Sequence, residues 1–408
     1  MIWEQIRSNQ MRSAFLVVLM GLVLLALGFF VGEFFFGSAI AGLVIALIVW
    51  GIMNLIAFTS GDSILLSVAG AHKIGPDDHP KLYNVVEEMK IASGLEHMPD
   101  VYIIDDPALN AFSTGRDPNH TAVAITSGLL QKLNRDELQG VMGHEIGHIR
   151  NRDVQLMMLL SILLGSIVII SWYASRMLFF TGMGSSGGGR RRSSSGGGGG
   201  GAIIILAIGL IFMILSPIAA QLIYFAVSRK REYLADASSA LYTRYPEGLA
   251  SALEKLANSS TKVERANKAT APMYIIDPFE KRSLSADSLT ATHPPIAERI
   301  RILRAMGGAS YADYEHAYKA TKGTGVVPAS ALAMPGAVSL RAASAQTGPV
   351  EDVPQRVERA RETSDVMWRL NNYRTIDCPC GTRLRVSPNY RSPTVRCPHC
   401  GRVHPTPT

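Results

Sequence analysis

Residues 141–170 read VMGHEIGHIRNRDVQLMMLLSILLGSIVII and join a metal-binding pattern to the start of a long apolar run. His144 and His148 stand four residues apart, so on a helix both side chains lie on one face and can bind one metal ion. Glu145 projects beside them, where it can act on a metal-bound water. The apolar run that begins at Gln155 is long enough to cross a bilayer. The stretch therefore predicts a metal site close to a membrane surface.

Four apolar runs predict two transmembrane hairpins, and they cover residues 14–36, 39–58, 155–180 and 202–227. Each has about the 20 residues needed to cross a hydrocarbon core of about 30 Å. A buried core helix is rarely this long and apolar on every face. A signal peptide would not be followed at once by a second apolar run. Because Arg176 interrupts the third run, two spans instead of four remain the alternative.

The charges that flank the spans predict the orientation of the chain. Basic residues flank the apolar runs at the ends that are predicted to be cytoplasmic. These residues are Arg7, Arg12, Arg150, Arg152, Arg229, Lys230 and Arg231. The positive-inside rule then places both termini and the metal site in the cytoplasm, with the chain in the inner (plasma) membrane. The glycine-rich loop 182–201 carries Arg190, Arg191 and Arg192 on the opposite side, against that rule. We interpret the loop as a solvated linker, with a lipid headgroup contact as the alternative.

The composition excludes two broad classes of protein. The chain has 408 residues, of which 47% are hydrophobic and 18% are charged, so a wholly disordered chain is excluded. Four cysteines in this length are too few for a secreted module held by disulfides. The net charge of +7 suggests an anionic partner or membrane surface.

Local patterns predict the elements that would carry the site. Apolar spacing predicts a helix over residues 81–93, and short strands are predicted over 101–104, 111–114 and 122–125. Asn134 and Glu137 are spaced like a capping box, which predicts that a helix over 136–150 carries the histidines.

A catalytic zinc needs a third protein ligand and an open position for water. The best candidates are Glu232 and Asp236, which share a helix face just after the fourth apolar run. Glu232 is predicted to bind the metal, and Asp236 to hold one of the ligand histidines by its other ring nitrogen. Since a hairpin returns the chain to the membrane face it left, both half-sites can meet at the cytoplasmic surface.

The motifs, in their order, closely resemble HtpX-like integral-membrane gluzincin metallopeptidases, a family that includes the CAAX prenyl protease. They are the segments 144–148, 232–236 and 292–295 together with Arg299, and the resemblance covers about residues 1–310. The resemblance implies that His144, His148 and Glu232 bind zinc and that Glu145 is catalytic. It implies that His293 and Arg299 bind substrate or stabilise the tetrahedral intermediate, and that Asp236 supports a zinc ligand from behind. It also implies that Asn110, Ala111 and Phe112 lie along the substrate. The basic glycine-rich loop and the extension beyond residue 322 depart from the family pattern.

All four cysteines lie near the C-terminus, in two pairs that are each followed by glycine. Cys378, Cys380, Cys397 and Cys400 predict a zinc ribbon whose metal is structural, because four thiolates close the coordination shell. Disulfides are the alternative, and they would conflict with a cytoplasmic C-terminus. Arg374, Arg383, Arg385, Arg391, Arg396 and Arg402 make this segment strongly basic. Docking of a protein is the favoured role, followed by docking of anionic lipid and then of nucleic acid.

The expected fold is a multi-pass α-helical membrane protein with a mainly α (α+β) zincin catalytic domain and a small C-terminal zinc ribbon. Its segments are an N-terminal transmembrane hairpin (1–60), the first part of the catalytic domain (61–153), a second hairpin (154–227), the second part of the catalytic domain (228–322), a linker with a short helix (323–371) and the ribbon (372–408).

The expected function is zinc-dependent cleavage of membrane or membrane-proximal proteins, in quality control as the resemblance implies. Zinc would activate water, Glu145 would take its proton, and zinc with His293 or Arg299 would stabilise the developing oxyanion. Two alternatives remain. One is a non-catalytic membrane scaffold that recruits partners through the ribbon, and the other is a prenyl-protein protease.

Overall fold

A computed structural model describes residues 2–183, 199–259, 261, 263, 274–275, 293–332, 338–344 and 353–406. The three arginines of the glycine-rich loop, residues 190–192, lie outside the described residues, as does residue 292 of the third motif.

Long helices form at all four apolar runs. They are α1 (Ile2–Phe36), α2 (Ala39–Val68), α6 (Asp153–Met183) and α7 (Gly199–Thr243). Among the described residues, three stretches are long and apolar enough to cross a membrane: Val17–Phe36, Ala39–Ile56 and Asp153–Met177. The fourth predicted span, 202–227, falls within α7 where many side chains are not described, so its crossing remains a prediction.

The helices of the two hairpins pack together around a shared apolar core. Leu24 and Leu27 of α1 are buried with Leu160, Leu163 and Ile167 of α6. Large apolar side chains such as Leu47 and Leu55 on α2 are exposed instead, as expected for a surface that meets lipid.

Beyond the membrane helices, the chain forms a four-stranded mixed sheet. Its strands are β1 (Ala71–Ile74), β2 (Asp100–Ile104), β3 (Ala111–Asp117) and β4 (His120–Thr126), in the order β1-β2-β4-β3. β2 and β4 are parallel, and the two outer pairs are antiparallel. β3 is thus an edge strand of this sheet.

Helices pack on the sheet and form the main core. They are α3 (Pro80–Ser93), α4 (Ser127–Lys132), α5 (Arg135–Arg150), α8 (Pro246–Ala257), α9 (Ile296–Arg304), α10 (Tyr311–Lys322) and α11 (Ala329–Leu332). α5 lies at the centre, with twelve of its sixteen residues buried. The helix that carries the histidines is therefore held rigidly from several sides.

The local predictions for this region are confirmed. The helix predicted over 81–93 and the strands predicted over 101–104, 111–114 and 122–125 are present, each within a few residues of its predicted ends. The capping box at α5 is also present, since Asn134 accepts from the Glu137 backbone and Glu137 accepts from the Asn134 backbone. The short strand β1 and the short helix α4 are elements of this region that the sequence analysis did not predict.

The four-stranded sheet and the helices packed on it form the body of the protein, and the C-terminal extension is packed against this body. α12 (Val353–Leu370) buries Val366 and Met367 in the main core. Two small hairpins follow, β5 (Arg374–Asp377) with β6 (Arg383–Val386) and β7 (Thr394–Arg396) with β8 (Val403–Pro405). Part of the predicted linker also makes contacts, because Arg341 pairs with Asp136 at the start of α5.

Candidate metal centre

Three potential ligands meet where α5 faces α7. The Nε2 atoms of His144 and His148 lie 3.2 Å apart. Glu232 on α7 places Oε2 3.6 Å from His144 Nε2 and Oε1 3.3 Å from His148 Nε2. Ligand atoms of all three residues lie within 4.8 Å of one another. The two segments that the sequence analysis expected to meet are thus side by side.

A carboxylate lies behind each histidine. Asp236 Oδ1 is 3.0 Å from His144 Nδ1, and Asp153 Oδ2 is 3.1 Å from His148 Nδ1. A carboxylate in this position holds the hydrogen on Nδ1 and leaves the Nε2 lone pair free. Both lone pairs are thereby turned towards Glu232, which is the arrangement that binds a metal ion.

The charges around the three ligands favour a cation. Burial alone would lower the pKa of His148, yet its hydrogen bonds to Asp153 and Glu232 raise that pKa to about 10. The pKa of His144 is also raised, against the effect of burial, by its carboxylate partners. Burial would raise the pKa of Glu232, but the neighbouring His293 and the two helix histidines hold it well below its ordinary value. Protons or a metal ion can supply the positive charge that this centre favours.

Unsatisfied polar atoms at the centre fit a metal ion as well. Glu232 Oε2 is buried and makes no aligned hydrogen bond to any residue that the structure describes. Both ring nitrogens of His293 are also buried without an aligned hydrogen bond to a described residue, although Nδ1 lies 3.1 Å from Glu232 Oε2. Buried polar atoms are normally satisfied. Two imidazole nitrogens and a carboxylate are also the donor set of a catalytic zinc site.

Glu145 follows His144 on α5 and is only 1% exposed. Ser113 on the edge strand β3 donates a hydrogen bond of 2.8 Å to Glu145 Oε2. Glu145 thus lies between the metal-ligand set and the strand that would lie along a substrate.

Arg299 lies behind the ligands and is fully buried. Its Nε and Nη2 atoms donate to the two oxygens of Asp236 at 2.9 and 2.6 Å, and its Nη1 lies 3.2 Å from Glu232 Oε2. The guanidinium thus joins the carboxylates of Asp236 and Glu232. The substrate-binding or intermediate-stabilising role that the resemblance implies for Arg299 remains a prediction.

His293 precedes α9, and its Nδ1 lies 3.1 Å from Glu232 Oε2. It is 7% exposed, and neither ring nitrogen has a hydrogen-bond partner among the described residues. Of the two residues predicted to act on the intermediate, His293 is the one with uncommitted polar atoms.

The predicted substrate segment is more enclosed than expected. Asn110, Ala111 and Phe112 are all buried at the start of β3. The Ala111 carbonyl accepts a hydrogen bond of 2.9 Å from the backbone of Ile275, and Phe112 forms an isolated bridge with Tyr274. Residues 274–275 thus pair with the edge at which an extended peptide would add.

Three residues at the centre were missed by the sequence analysis. Asp153 holds His148 and also forms a buried ion pair with Arg231, which joins the start of α6 to α7. Ser113 holds Glu145. The position of Asp153 five residues after His148 is the signal that could have found it, because α6 begins there.

The four cysteines form a second candidate metal site. Their sulfur atoms lie within 4.8 Å of one another, and none of them is bonded to another. Gly381 and Gly401 follow the two pairs with φ of 86° and 74°, a left-handed turn that favours glycine. His404 Nε2 also lies 3.2 Å from Cys378 Sγ. This geometry agrees with a zinc ribbon and not with disulfides.

The fold and the centre define a membrane-embedded metallopeptidase of the His-Glu-x-x-His type. A family model described as Peptidase family M48 matches residues 76–307, and the chain belongs to this family.

Its relatives include bacterial proteins described as protease HtpX homologs. The chain is 42% identical to one from Dictyoglomus turgidum over 305 residues, which is 75% of this chain and 95% of the relative. It is 44% identical to one from Streptococcus pneumoniae over 306 residues, which is 75% of this chain and all of the relative. A quarter of the chain thus has no counterpart in these alignments. A crystal structure of S. mikatae Ste24p has a TM-score of 0.40 and 21% identity, covering 74% of this chain and 66% of that one.

Proposed function

We propose that the protein is a zinc-dependent endopeptidase that cleaves membrane or membrane-proximal proteins at the cytoplasmic face of the inner (plasma) membrane. The observation that carries this proposal is that buried Glu145 follows the ligand His144 on α5 and is held by Ser113. A site used only for structure has no need of a carboxylate poised next to its metal ligands.

Zinc, when bound by these three residues, supplies a Lewis acid that acidifies water and polarises a carbonyl group. Glu145 accepts the proton of the attacking water and later delivers it to the leaving amine. The hydrogen bond from Ser113 fixes the carboxylate in the orientation needed for both transfers. We assign to His293, whose ring nitrogens have no hydrogen-bond partner among the described residues, the donation to the oxyanion that develops on the scissile carbonyl.

The position of the centre supports substrates in or near the membrane. Asp153, which holds His148, is also the first residue of a membrane-spanning stretch. The basic flanks of the spans support a cytoplasmic orientation of this face. Quality control of membrane proteins is the role that we propose by analogy with the HtpX-like relatives.

Replacement of Glu145 by glutamine tests the proposal. We expect the variant to retain zinc, because all ligands remain, and to lose cleavage of a model membrane protein in detergent, because no base is left to take the proton. Zinc content is measured by mass spectrometry and cleavage by gel electrophoresis. The matched control is Glu88→Gln, at a partly exposed carboxylate paired with Arg135, which should cleave normally. Full activity of the Glu145 variant would refute the proposal.

A further inference from the structure

The arginines of the ribbon fall into two groups with different surroundings. Arg383 and Arg385 reach Asp365 on α12 at 2.7 and 2.6 Å, and Arg383 also reaches Asp377 at 2.8 Å. Arg385 in addition lies 5.3 Å from the centre of the Trp368 ring. These contacts hold the ribbon against the helix that is packed into the main core.

The second group lies on and beside the hairpin of β7 and β8. Val395 and His404 are paired across this hairpin and point inward, since Val395 packs on the ribbon core and His404 contacts Cys378. Arg396 and Val403 are the next cross-strand pair, so they point to the opposite side.

We use the name outer hairpin face for the exposed residues on and beside this hairpin, which are Tyr390, Arg391, Arg396, Arg402 and Val403. All five residues are exposed, Val403 by 50% and Tyr390 by 43%. Within the described part of the chain, the guanidinium groups of the three arginines have neither an acidic partner nor a hydrogen bond. The face therefore combines uncompensated positive charge with exposed apolar surface.

The ribbon begins near the membrane. Asn371, at its start, donates to Asp105 at 3.4 Å, and Asp105 directly follows the end of β2. That end of β2 pairs with Ala71, just after α2. The membrane-spanning stretch of α2 ends at Ile56, and α2 continues to Val68, which is about 18 Å further along the helix. The ribbon therefore starts on the order of 20 Å from the bilayer.

We propose that the outer hairpin face binds the anionic phospholipid headgroups of the membrane in which the chain is anchored. Each arginine near an anionic surface favours binding by about fivefold, and the exposed valine and tyrosine can enter the interface. Because the ribbon is tethered to the bilayer, such weak contacts act at a high effective concentration. An acidic peptide or a nucleic acid would have to bind from solution. The proposal does not depend on the proposed catalysis.

Hydrogen exchange of the full-length protein in nanodiscs tests this. One set of discs contains phosphatidylcholine alone, and the other contains phosphatidylcholine and phosphatidylglycerol at 70:30. We expect ribbon peptides that cover 390–406 to exchange about tenfold more slowly in the anionic discs, and this protection to disappear at high salt. Equal exchange in the two kinds of disc would overturn the proposal. Protection by added polyglutamate or oligonucleotide in neutral discs, without protection by phosphatidylglycerol, would overturn it too.

A triple variant locates the effect. Arg391→Gln, Arg396→Gln and Arg402→Gln together should remove the protection while zinc content stays unchanged. The matched control is Arg301→Gln, Arg356→Gln and Arg361→Gln, which removes three exposed arginines outside the ribbon and should retain it. Protection that survives the ribbon triple variant would contradict the assignment of the face. The comparison of the two disc compositions needs no substitution, so it tests the proposal even where the variant loses ribbon zinc.

Discussion

At the scale of single residues, the candidate centre repeats one arrangement twice. His144 is backed by Asp236, and Asp236 by Arg299. The second ligand, His148, is backed by Asp153, and Asp153 by Arg231. In each chain of contacts the arginine pairs with the buried carboxylate, and the carboxylate orients the histidine ring. Both arginines are brought in from helices distant in sequence, so the ligand geometry depends on the tertiary fold.

Replacement of Asp153 by asparagine tests the outer part of this arrangement. We expect zinc affinity to fall about 10- to 100-fold, because His148 loses the carboxylate that orients its ring. Competition with a chelator measures the affinity. Asp117→Asn is a matched control, since Asp117 pairs with the exposed His120 away from the centre. Equal zinc affinity in the two variants would show that Asp153 has no such role.

The raised pKa of His148 predicts a pH dependence of zinc binding. In the metal-free protein His148 has a pKa of about 10, so it carries a proton at neutral pH that zinc must displace. Apparent zinc affinity should therefore rise with pH and level off above about pH 10, by up to about tenfold per pH unit for this proton. The measurement is recovery of cleavage by the metal-free enzyme at fixed free zinc. The slope should be shallower in Asp153→Asn, and a pH-independent affinity would contradict the prediction.

At the scale of elements, sequence patterns predict what is local. The capping box of α5 and the short strand-like runs of β2 to β4, bounded by turn residues, involve neighbours in the chain, so they are visible in the sequence. The meeting of His148 with Glu232 was predictable because two apolar runs were expected to form a hairpin that returns the chain to the same membrane face. Contacts such as Ser113 with Glu145 join parts of the fold whose register no local pattern fixes.

The contacts of the described stretch 338–344 could not be predicted from the sequence either, because its composition is typical of a linker. Arg341 Nη2 donates to Asp136 and Gln139 on α5 at 2.6 and 2.8 Å, and its Nε donates to the Thr243 carbonyl at 2.8 Å. Ser344 also donates to Asp136, from its backbone at 2.9 Å. These contacts tie the extension to the first turn of the helix that carries the metal ligands.

Replacement of Arg341 by alanine should therefore destabilise the body. Asp136 is only 2% exposed and would keep a buried charge with fewer partners, so we expect a loss of about 1–3 kcal/mol in the free energy of unfolding. Thermal unfolding in detergent measures the change. Arg304→Ala removes an exposed arginine paired with Glu247 and Glu254 and should cost about 1 kcal/mol or less. Equal losses in the two variants would exclude a special role for the Arg341 contacts.

At the scale of the whole molecule, the membrane helices, the peptidase body and the extension form one connected structure. α6 begins at the metal centre with Asp153, and α7 carries Glu232 to the same centre. α12 is packed into the same core as α5, and it holds the ribbon through Asp365. The ribbon is therefore fixed to the body, yet its sulfur cluster shares no ligand with the histidine site.

Two separate sites predict a stoichiometry of two zinc ions per chain. Cys397→Ser should leave one, because three thiolates no longer close the ribbon, and His148→Ala should also leave one. The double variant should retain none. Mass spectrometry of the purified protein counts the metal, and cleavage should survive Cys397→Ser but not His148→Ala, since only the histidine site faces Glu145. One zinc in the unmodified protein together with oxidised cysteines would refute the ribbon. Loss of both ions from either single variant would instead show that the two sites stabilise each other through α12.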